Sequence, residues 1–597
     1  MTLPRLTLAL AAACSTLGFA PAVAGGDDGV SGYERETLDA VLGERGASVD
    51  PEPEGKTIEA VEIAVLDVIE ERDPLPDFLN WLHTNTRDHI VARELLFAKG
   101  ERYTQVSVDE TKRNLRERRQ FSVVLLVPVR GTRPDAVRML VVVKDTWSLR
   151  LNSDIRLQGG RLEHLYVQPT EENLAGTHRG VFVDYEWLPL TSRVGGQLLD
   201  PHLAGTRHLL RANANVALSH ETGAIEGTEG SFTFGLPSYS LQQPWAWGLS
   251  LAWDKEITRR YIGVEVARFD ARSTPGKDGI PWVYATDRLS GRVAATRSFG
   301  DDYRHDITFG WQVDRGLHDP GDLSSYDPRA VEEFLADSVP VSDVRVGPTL
   351  GYRLHGTDYA TLLDAETLAL QEDYALGLDL FAGVHPVVRA LGSSRNLVQV
   401  SAAASYTAAP ARALVRVYGA ASADFEIGGS EAVASAGLQV GLRLTSPPFG
   451  FGRLVYDGTV GYRPRNYLND SLTVGGESRL RGYRSGQFSG ENLVASNLEL
   501  RTLPVQLWTL QVAGTAFYDV GDAFDGTALR PKQGAGLGLR VLIPQAGRAV
   551  LRLDWGFPLT ASVPRPSPFD GLVVTFGQAF GLPKATSSGI DLGLRGR

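Results

Sequence analysis

The sequence predicts a mainly β protein: a small mixed module followed by a transmembrane antiparallel β-barrel of roughly 16 strands. Three observations predict it. The 597-residue chain has no apolar run long enough for a membrane-spanning helix beyond its N-terminus. From Trp147 to Phe580, segments of about ten residues alternate apolar and polar positions, and each ends at Gly, Pro, Asp or Asn. The connections between those segments alternate between short and long. Composition agrees. With 43% hydrophobic and 22% charged residues the chain is too apolar for disorder and too mixed for a helical membrane protein. A net charge of -11 argues against a nucleic-acid partner, which calls for a basic surface.

The N-terminus reads as a secretory signal peptide over 1–24. Met1 to Arg5 is a short basic start, Leu6 to Phe19 an apolar run, and Ala22-Val23-Ala24 a small-x-small cleavage site. The single cysteine, Cys14, lies inside it, so neither an intrachain disulfide nor a zinc–cysteine cluster can form. Ala11-Ala12-Ala13 before Cys14 lacks the large apolar residue of a lipoprotein box. Residues 25–56, with Asp50-Pro51-Glu52-Pro53-Glu54, read as a flexible linker, although Glu34 to Leu42 could form two helical turns.

Residues 57–149 read as a compact β-α-α-β-β unit. Val61, Ile63 and Val65 alternate as in a strand. His89 to Lys99 has helical apolar spacing and stops at Gly100. Ser107 to Arg119 opens with a serine and has Glu110 three residues on, a capping-box pattern. Phe121–Val129 and Ala136–Val143 are β-branched runs around the turn-like 131–135, a hairpin.

Residues 150–580 read as the barrel and 581–597 as a C-terminal tail. In Asn396 to Thr407, Val398, Val400, Ala402, Ala404 and Tyr406 point one way and Gln399, Ser401, Ser405 and Thr407 the other. Ala413 to Glu426 repeats the pattern. A soluble sandwich also alternates. Segment length, an ionised opposite face suited to a wet lumen, and aromatics near segment ends (Trp187, Trp245, Trp247, Trp253, Trp508, Trp555) favour a membrane barrel. A closed barrel also satisfies every backbone group in lipid. Counting back from the C-terminus places strands at 571–580, 549–559, 534–543, 508–520, 492–502, 452–464 and 433–445. Their connections alternate: 560–570 long, 544–548 short, 521–533 long, 503–507 short, 465–491 very long, 446–451 short. Further toward the N-terminus the count is less secure, with roughly 16 to 20 candidate strands. Residues 316–342 form another long loop, with a helix expected at Ala330 to Ala336.

Enzyme signatures are absent: there is no HExxH, GxxxxGK[ST] or GxSxG, and no paired histidine spacing for a metal. The expectation is therefore no enzyme, no cofactor and no metal. Gly534-Ala-Gly536-Leu-Gly538 lies inside a strand-like segment and reads as small residues on a barrel wall. The informative stretch is the loop 465–491, with Gly475-Gly476, Leu480-Arg481-Gly482-Tyr483, Gly486 and Gly490. So many glycines suit a packed loop better than a solvated one. Arg481 can be held out as a fixed cation, and the alternation of Leu510 to Asp519 turns Asp519 to the lumen beside Gln511 and Thr515. An arginine–carboxylate contact there would be strong and geometrically specific.

Leu480-Arg481-Gly482-Tyr483 resembles the (V/I)-R-G-(F/Y) loop motif of the BamA/TamA superfamily of outer-membrane protein-assembly and translocation barrels. Phe517-Tyr518-Asp519-Val520-Gly521 is similar to its F-x-D-x-G strand motif, whose Asp accepts the loop arginine. Asn497-Leu498-Glu499-Leu500-Arg501 is similar to the strand after the loop, and Asn173-Leu174-Ala175-Gly176 resembles the N-L-x-G near the barrel start. The 57–149 unit, with Gly100, Tyr103, Leu115 and Phe121, resembles a POTRA domain. Gly571, Val574 and Phe576, with Phe580 closing, fit the last-strand signal. The chain departs from the pattern in having one such N-terminal unit, a linker too short and polar for a plug helix, and a tail after Phe580. The resemblance implies a protein of the Gram-negative outer membrane with its POTRA-like domain in the periplasm. It implies an assembly and insertion factor that receives unfolded outer-membrane proteins, works in the lipid bilayer, and could take accessory periplasmic proteins or lipoproteins. A two-partner-type secretion pore for a secreted polypeptide keeps the same fold, and a passive porin is the third reading.

Overall fold

The computed structural model describes residues 31–560, 571–579, 584–586 and 589–591, apart from positions 72, 74, 119, 159–160, 263, 430–431, 477–478 and 509. The signal segment expected at 1–24, Phe580, and all of the tail except two short strands lie outside the described residues.

The chain opens with α1 (Gly32–Arg45). Ser31 caps it: its hydroxyl accepts the Glu34 N–H at 3.2 Å, and the Glu34 carboxylate accepts the Ser31 N–H at 3.0 Å. Gly46, at φ 56°, ends it in the left-handed conformation that glycine tolerates best. Then follow β1 (Thr57–Leu66), α2 (Asp88–Glu94), α3 (Gln105–Arg116), β2 (Phe121–Arg130) and β3 (Ala136–Asp145). The sheet order is β1-β3-β2, with β1 parallel and β2 antiparallel to β3. α2 and α3 place Val91, Val108 and Leu115 on Ile58, Val124, Val137 and Val141. On the opposite face Val41, Leu38 and Leu42 of α1 cover Val123, Leu125, Leu140 and Val142. Two expectations are corrected here. The stretch 25–56 contains a capped, packed helix, because an apolar stripe hides in a segment whose average composition is polar. And the unit is a three-stranded sheet with helices on both faces. It does not clearly show a POTRA domain, so it is called the module below.

The rest is one closed antiparallel barrel of 20 strands, from Leu149–Gln158 to Leu572–Phe576, with Asn492–Thr502 continuing into Val505–Leu507 across a break at Leu503-Pro504. The expected count of 16 is therefore wrong. The seven strands placed from 433 onward coincide with observed ones to within a few residues. The error lies upstream. Strands such as Thr191–Asp200 (TSRVGGQLLD) and Leu209–Ser219 (LLRANANVALS) carry Gly, Ala and Asn where apolar alternation would announce a crossing. Outward residues such as Tyr406, Val417 and Phe425 are exposed as a lipid-facing belt requires, while Ser405, Thr407 and Asp424 are buried on the inward face.

One joint differs from the others. Among the described residues Leu572–Phe576 meets Leu149–Gln158 through a single ladder pair, Val574 with Ile155, whereas its other edge pairs along all five residues with Leu551–Trp555. The module closes one end of the barrel. The Trp147 N–H donates to the Gln545 carbonyl at 2.7 Å, Arg548 donates to the Ser122 carbonyl at 3.0 Å, and the Arg87 N–H to the Gly176 carbonyl at 3.1 Å. Glu94 on α2 meets His202 at 3.2 Å and Arg118 at 2.7 Å. Burial raises the Glu94 pKa, but the hydrogen bond from His202 and the Arg118 guanidinium outweigh it and hold it at about 2. At the far end the loops 260–282, 320–342 and 467–491 gather. The second holds α4 (Pro328–Ser338), whose Phe334 packs on Phe269 and Trp282.

Candidate functional site: a paired-charge wall inside the barrel

Side chains alternate along a strand, so Phe517, Asp519 and Gly521 share the inward face of Leu510–Phe524, while Tyr518 is exposed on the outside. The same parity turns Asn497, Glu499 and Arg501 inward from Asn492–Thr502, Arg540 from Lys532–Leu542, and Arg552 and Asp554 from Leu551–Pro558. The 467–491 loop enters from the far end and lays Arg481 against this wall. Its Nε and Nη2 donate to the two Asp519 oxygens at 2.8 Å each, the fork-to-fork geometry of a bidentate pair. Its backbone N–H adds a third bond to Asp519 at 3.1 Å. Nη1 reaches Asp554 at 3.1 Å and also Glu499. The guanidinium lies 3.6 Å from the Phe517 ring centroid. Arg481, Asp519, Glu499 and Asp554 are all 0% exposed.

Taking charges out of water is costly unless each is paired, and here every carboxylate is. Glu499 also accepts from Arg501 at 2.8 Å, and Asp554 from Arg540 at 2.6 Å. A second cluster stands beside it, where Asp457 accepts from Arg443 at 2.8 Å and from Arg479 of the same loop. Asn497 donates to the Arg479 carbonyl at 2.6 Å, holding the loop backbone. Leu480 and Tyr483 sink into an apolar cluster with Leu472, Val474, Leu493, Ala495 and Tyr418, and the Tyr483 hydroxyl donates to the Gln533 carbonyl at 2.7 Å.

Glycines make the approach possible. Gly534, Gly536 and Gly538 stand opposite Asp519, Phe517 and Thr515 on the next strand. A Cβ on Gly534 would lie 2.3 Å from the Arg481 carbonyl oxygen, and one on Gly536 would lie 2.4 Å from the Phe517 ring. Gly482, at φ 92°, sits directly on the Gly556-Phe557 backbone, where a Cβ would come within 2.7 Å of the Phe557 carbonyl carbon. The run that superficially resembles a nucleotide loop is thus a seat for the loop.

Of the residues singled out from sequence, Leu480, Arg481, Gly482, Tyr483, Phe517 and Asp519 come together in this wall. Gly521 lies on the same inward face, beside Val494 and Ala495 of the next strand. Gly571, Val574 and Phe576 are elsewhere, on the last strand. A Cβ on Gly571 would lie 1.9 Å from the Gly556 carbonyl oxygen, Val574 makes the seam pair, and Phe576 is exposed toward lipid. Sequence reasoning missed Glu499, Asp554, Arg540 and the Arg443–Asp457–Arg479 cluster. Their signal was available: ionisable residues at the inward parity of strands already placed.

A second segment reaches the same wall from the module end. The connection between Asp343–Gly356 and Gly377–Val387 forms a hairpin, Tyr359–Leu363 with Gln371–Ala375, whose tip 364–370 lies inside the barrel. Glu366 at the tip meets Arg443 at 2.9 Å and Arg501 at 3.8 Å. At the hairpin base Asp373 meets Arg116 of α3 at 2.9 Å.

Residues 467–580 match the family model of the Omp85 superfamily domain, and the resemblance to the BamA/TamA superfamily holds there. No curated protein sequence matches the chain. Among solved structures it is similar to CdiB from Acinetobacter baumannii, at 11% identity over 89% of this chain and 77% of that one, with a TM-score of 0.39. It is similar to CdiB from Escherichia coli, at 12% over 91% and 82%, with a TM-score of 0.42. It is also similar to BamA from Haemophilus ducreyi lacking POTRA domains 1–3, at 14% over 91% of each, with a TM-score of 0.31. Scores at that level do not discriminate between roles.

Proposed function

We propose that this chain is an outer-membrane protein assembly and insertion factor. The module lies in the periplasm and receives unfolded β-barrel proteins. They pair by β-augmentation with the outer edge of β1 beyond Ile58, where no strand lies among the described residues; the 100–103 backbone covers its first residues. Insertion into the bilayer then takes place at the seam between Leu149–Gln158 and Leu572–Phe576. No bond is made or broken, so the protein supplies a template and a location. The observation that carries this reading is the seam itself: one ladder pair among the described residues, where neighbouring joints have five or more, leaves strand edges open for an incoming strand. The Arg481 wall supports it by holding the strands next to the seam rigid through contacts that do not involve the seam pair.

Depleting the protein and then inventorying the membrane's barrel proteins tests the role. The expected result is a broad fall in outer-membrane barrels. Loss of one exported polypeptide with an unchanged inventory would replace this reading with the secretion pore. A defect limited to small-solute uptake would make it a porin. The seam is tested separately by a cysteine pair, Ile155→Cys with Val574→Cys, in a Cys14→Ser background. Oxidation should arrest insertion and reduction restore it, and normal insertion through a locked seam would remove the seam from the mechanism.

A further inference from the structure

The hairpin tip is held mainly through its backbone. The Leu363 carbonyl accepts from Arg453 at 3.0 Å, the Ala365 carbonyl from Arg501 at 2.9 Å, and the Glu366 carbonyl from Gln578 at 3.0 Å. The Gln371 carbonyl accepts from Arg548. These donors come from four separate segments of the barrel, so the cradle belongs to the wall. Few features of the side chains at and beside the tip are read among the described residues. Arg443 binds the Glu366 carboxylate, Leu368 and Leu370 enter a slot formed by Ala513, Leu542 and Val550, and Leu362 with Ala365 packs on Leu414.

The wall also has more donors than the hairpin uses. Arg453 is 4% exposed, yet its Nε and Nη1 have no hydrogen-bond partner among the described residues; Arg501 is 5% exposed and its Nη2 has none there either. Buried N–H groups without acceptors are rare and costly, and they point to a ligand richer in acceptors than the present occupant.

We propose that this wall is a polypeptide-binding groove and that the 357–376 hairpin is its built-in stand-in. The groove takes a turn or extended segment of a client chain through main-chain carbonyls, which every sequence offers. It prefers a carboxylate followed at the second and fourth positions by aliphatic side chains, the pattern of Glu366, Leu368 and Leu370. Carbonyl reading suits a site that serves many clients, and the single acidic preference orients them. The hairpin leaves before a client enters, and its Arg116–Asp373 tie to α3 links that departure to the module. This inference rests on the assembly reading for the identity of the client.

The test uses the full chain with 358–376 replaced by a short Gly-Ser turn, its folding checked by the heat-dependent mobility shift of an intact barrel. The probe is a labelled peptide of sequence 361–371, with a second carrying Glu366→Gln. Saturable binding of the first peptide to the hairpin-free chain is expected, with about tenfold weaker binding of the second, the value of one charge-assisted contact. Arg501→Gln in the hairpin-free chain should weaken both. The intact chain should bind neither unless Arg116→Ala frees the hairpin. If the hairpin-free protein does not fold, the Arg116→Ala chain with its hairpin retained gives the same measurement. Absence of saturable binding to a folded, hairpin-free or hairpin-freed barrel overturns the groove. Its failure is distinguishable from failure of the assembly reading. Peptide binding with an unchanged membrane inventory on depletion keeps the groove and removes the assembly role; the opposite pair of results does the reverse.

Discussion

The two halves of the barrel use the same residue types in opposite ways. In the strands before 345 inward charge pairs stay wet at several places: Arg193 and Glu186 pair at 2.9 Å with side chains 22% and 21% exposed, and Arg315 and Asp287 pair at 38% and 37%. In the strands after 433, Arg481, Asp519, Glu499 and Asp554 are sealed at 0%. What differs is the cover. A loop from one end and a hairpin from the other lie on the second half, and no segment of that kind lies among the contacts of the Arg193 cluster. Charges in a wet lumen are screened and loosely specified. Charges under a cover have to be matched one to one, so they fix where the covering segments sit. The sealed half is also the half that adjoins the seam on its last-strand side.

Removing Arg481 should break that contrast most severely. Arg481→Ala leaves Asp519, Glu499 and Asp554 close together without their shared cation, and removing one member of a buried pair costs about 3–5 kcal/mol. Thermal unfolding of the folded barrel measures it. Asp519→Ala should cost less, since Glu499 and Asp554 still hold the guanidinium, and the double variant should be little worse than Arg481→Ala alone. Strict additivity in that cycle would mean the two side chains do not interact. Gly482→Ala comes next. It adds a methyl against the Gly556-Phe557 backbone at a φ that L-residues resist, an expected loss of about 1–3 kcal/mol, with the loop displaced. Faster protease cleavage within 467–491 would report the displacement, and an unchanged rate would show that the loop does not depend on the close approach.

The hairpin gives a pH test. Asp364, in the connection between strands, has its carboxyl pushed up to about 6 by burial, despite the N–H it receives from Ala369. The seated hairpin therefore binds this proton more tightly than the released one. Its seating is firmest below the ordinary value of 3.8, weakens as pH rises, and is weakest above about 6. A cysteine at Leu368 should react with a water-soluble maleimide-independent thiol reagent such as a methanethiosulfonate more slowly at about pH 5 than at about pH 7.5, after correction for thiolate fraction. A corrected rate that does not change would separate Asp364 from hairpin release. The smallest effect belongs to the wet half. Arg193→Ala should cost under about 1 kcal/mol, and raising salt should shrink even that. A loss equal to that of Arg481→Ala would erase the distinction between the halves.

What the sequence disclosed follows the same division. Strands such as Leu397–Ala408 declare themselves because their outward residues are apolar and their inward ones polar. Leu480 to Tyr483 and Phe517 to Gly521 could be connected before any coordinates, since period-2 parity turns Asp519 inward. Four strands were lost in the upstream half, where small residues on the outward face blur the alternation. The hairpin at 357–376 was also invisible. Short connections were expected at that end, and Asp364-Ala365-Glu366-Thr367 reads as an ordinary polar turn. Its burial depends on arginines at 443, 453, 501 and 548, contacts that no local pattern encodes. The helix Gly32–Arg45 was legible only as two possible turns over Glu34 to Leu42, because the sheet it covers is assembled from β2 and β3 much later in the chain.

The joint between module and barrel also has a place in time. Asp73 meets Gln545, 472 residues away, and Ser122 meets Arg548 at a separation of 426. The module is complete by Asp145 and can fold while most of the chain is still to come, but its seat includes the turn between the third- and second-last strands. Contacts of such separation form late, after the intervening chain has been ordered. The docked module is thus a record of completion. A barrel stalled before its last hairpin would hold its folded module only through the earlier contacts at Gly176, His202 and Asp373, and only a barrel that has reached residue 548 can complete the joint.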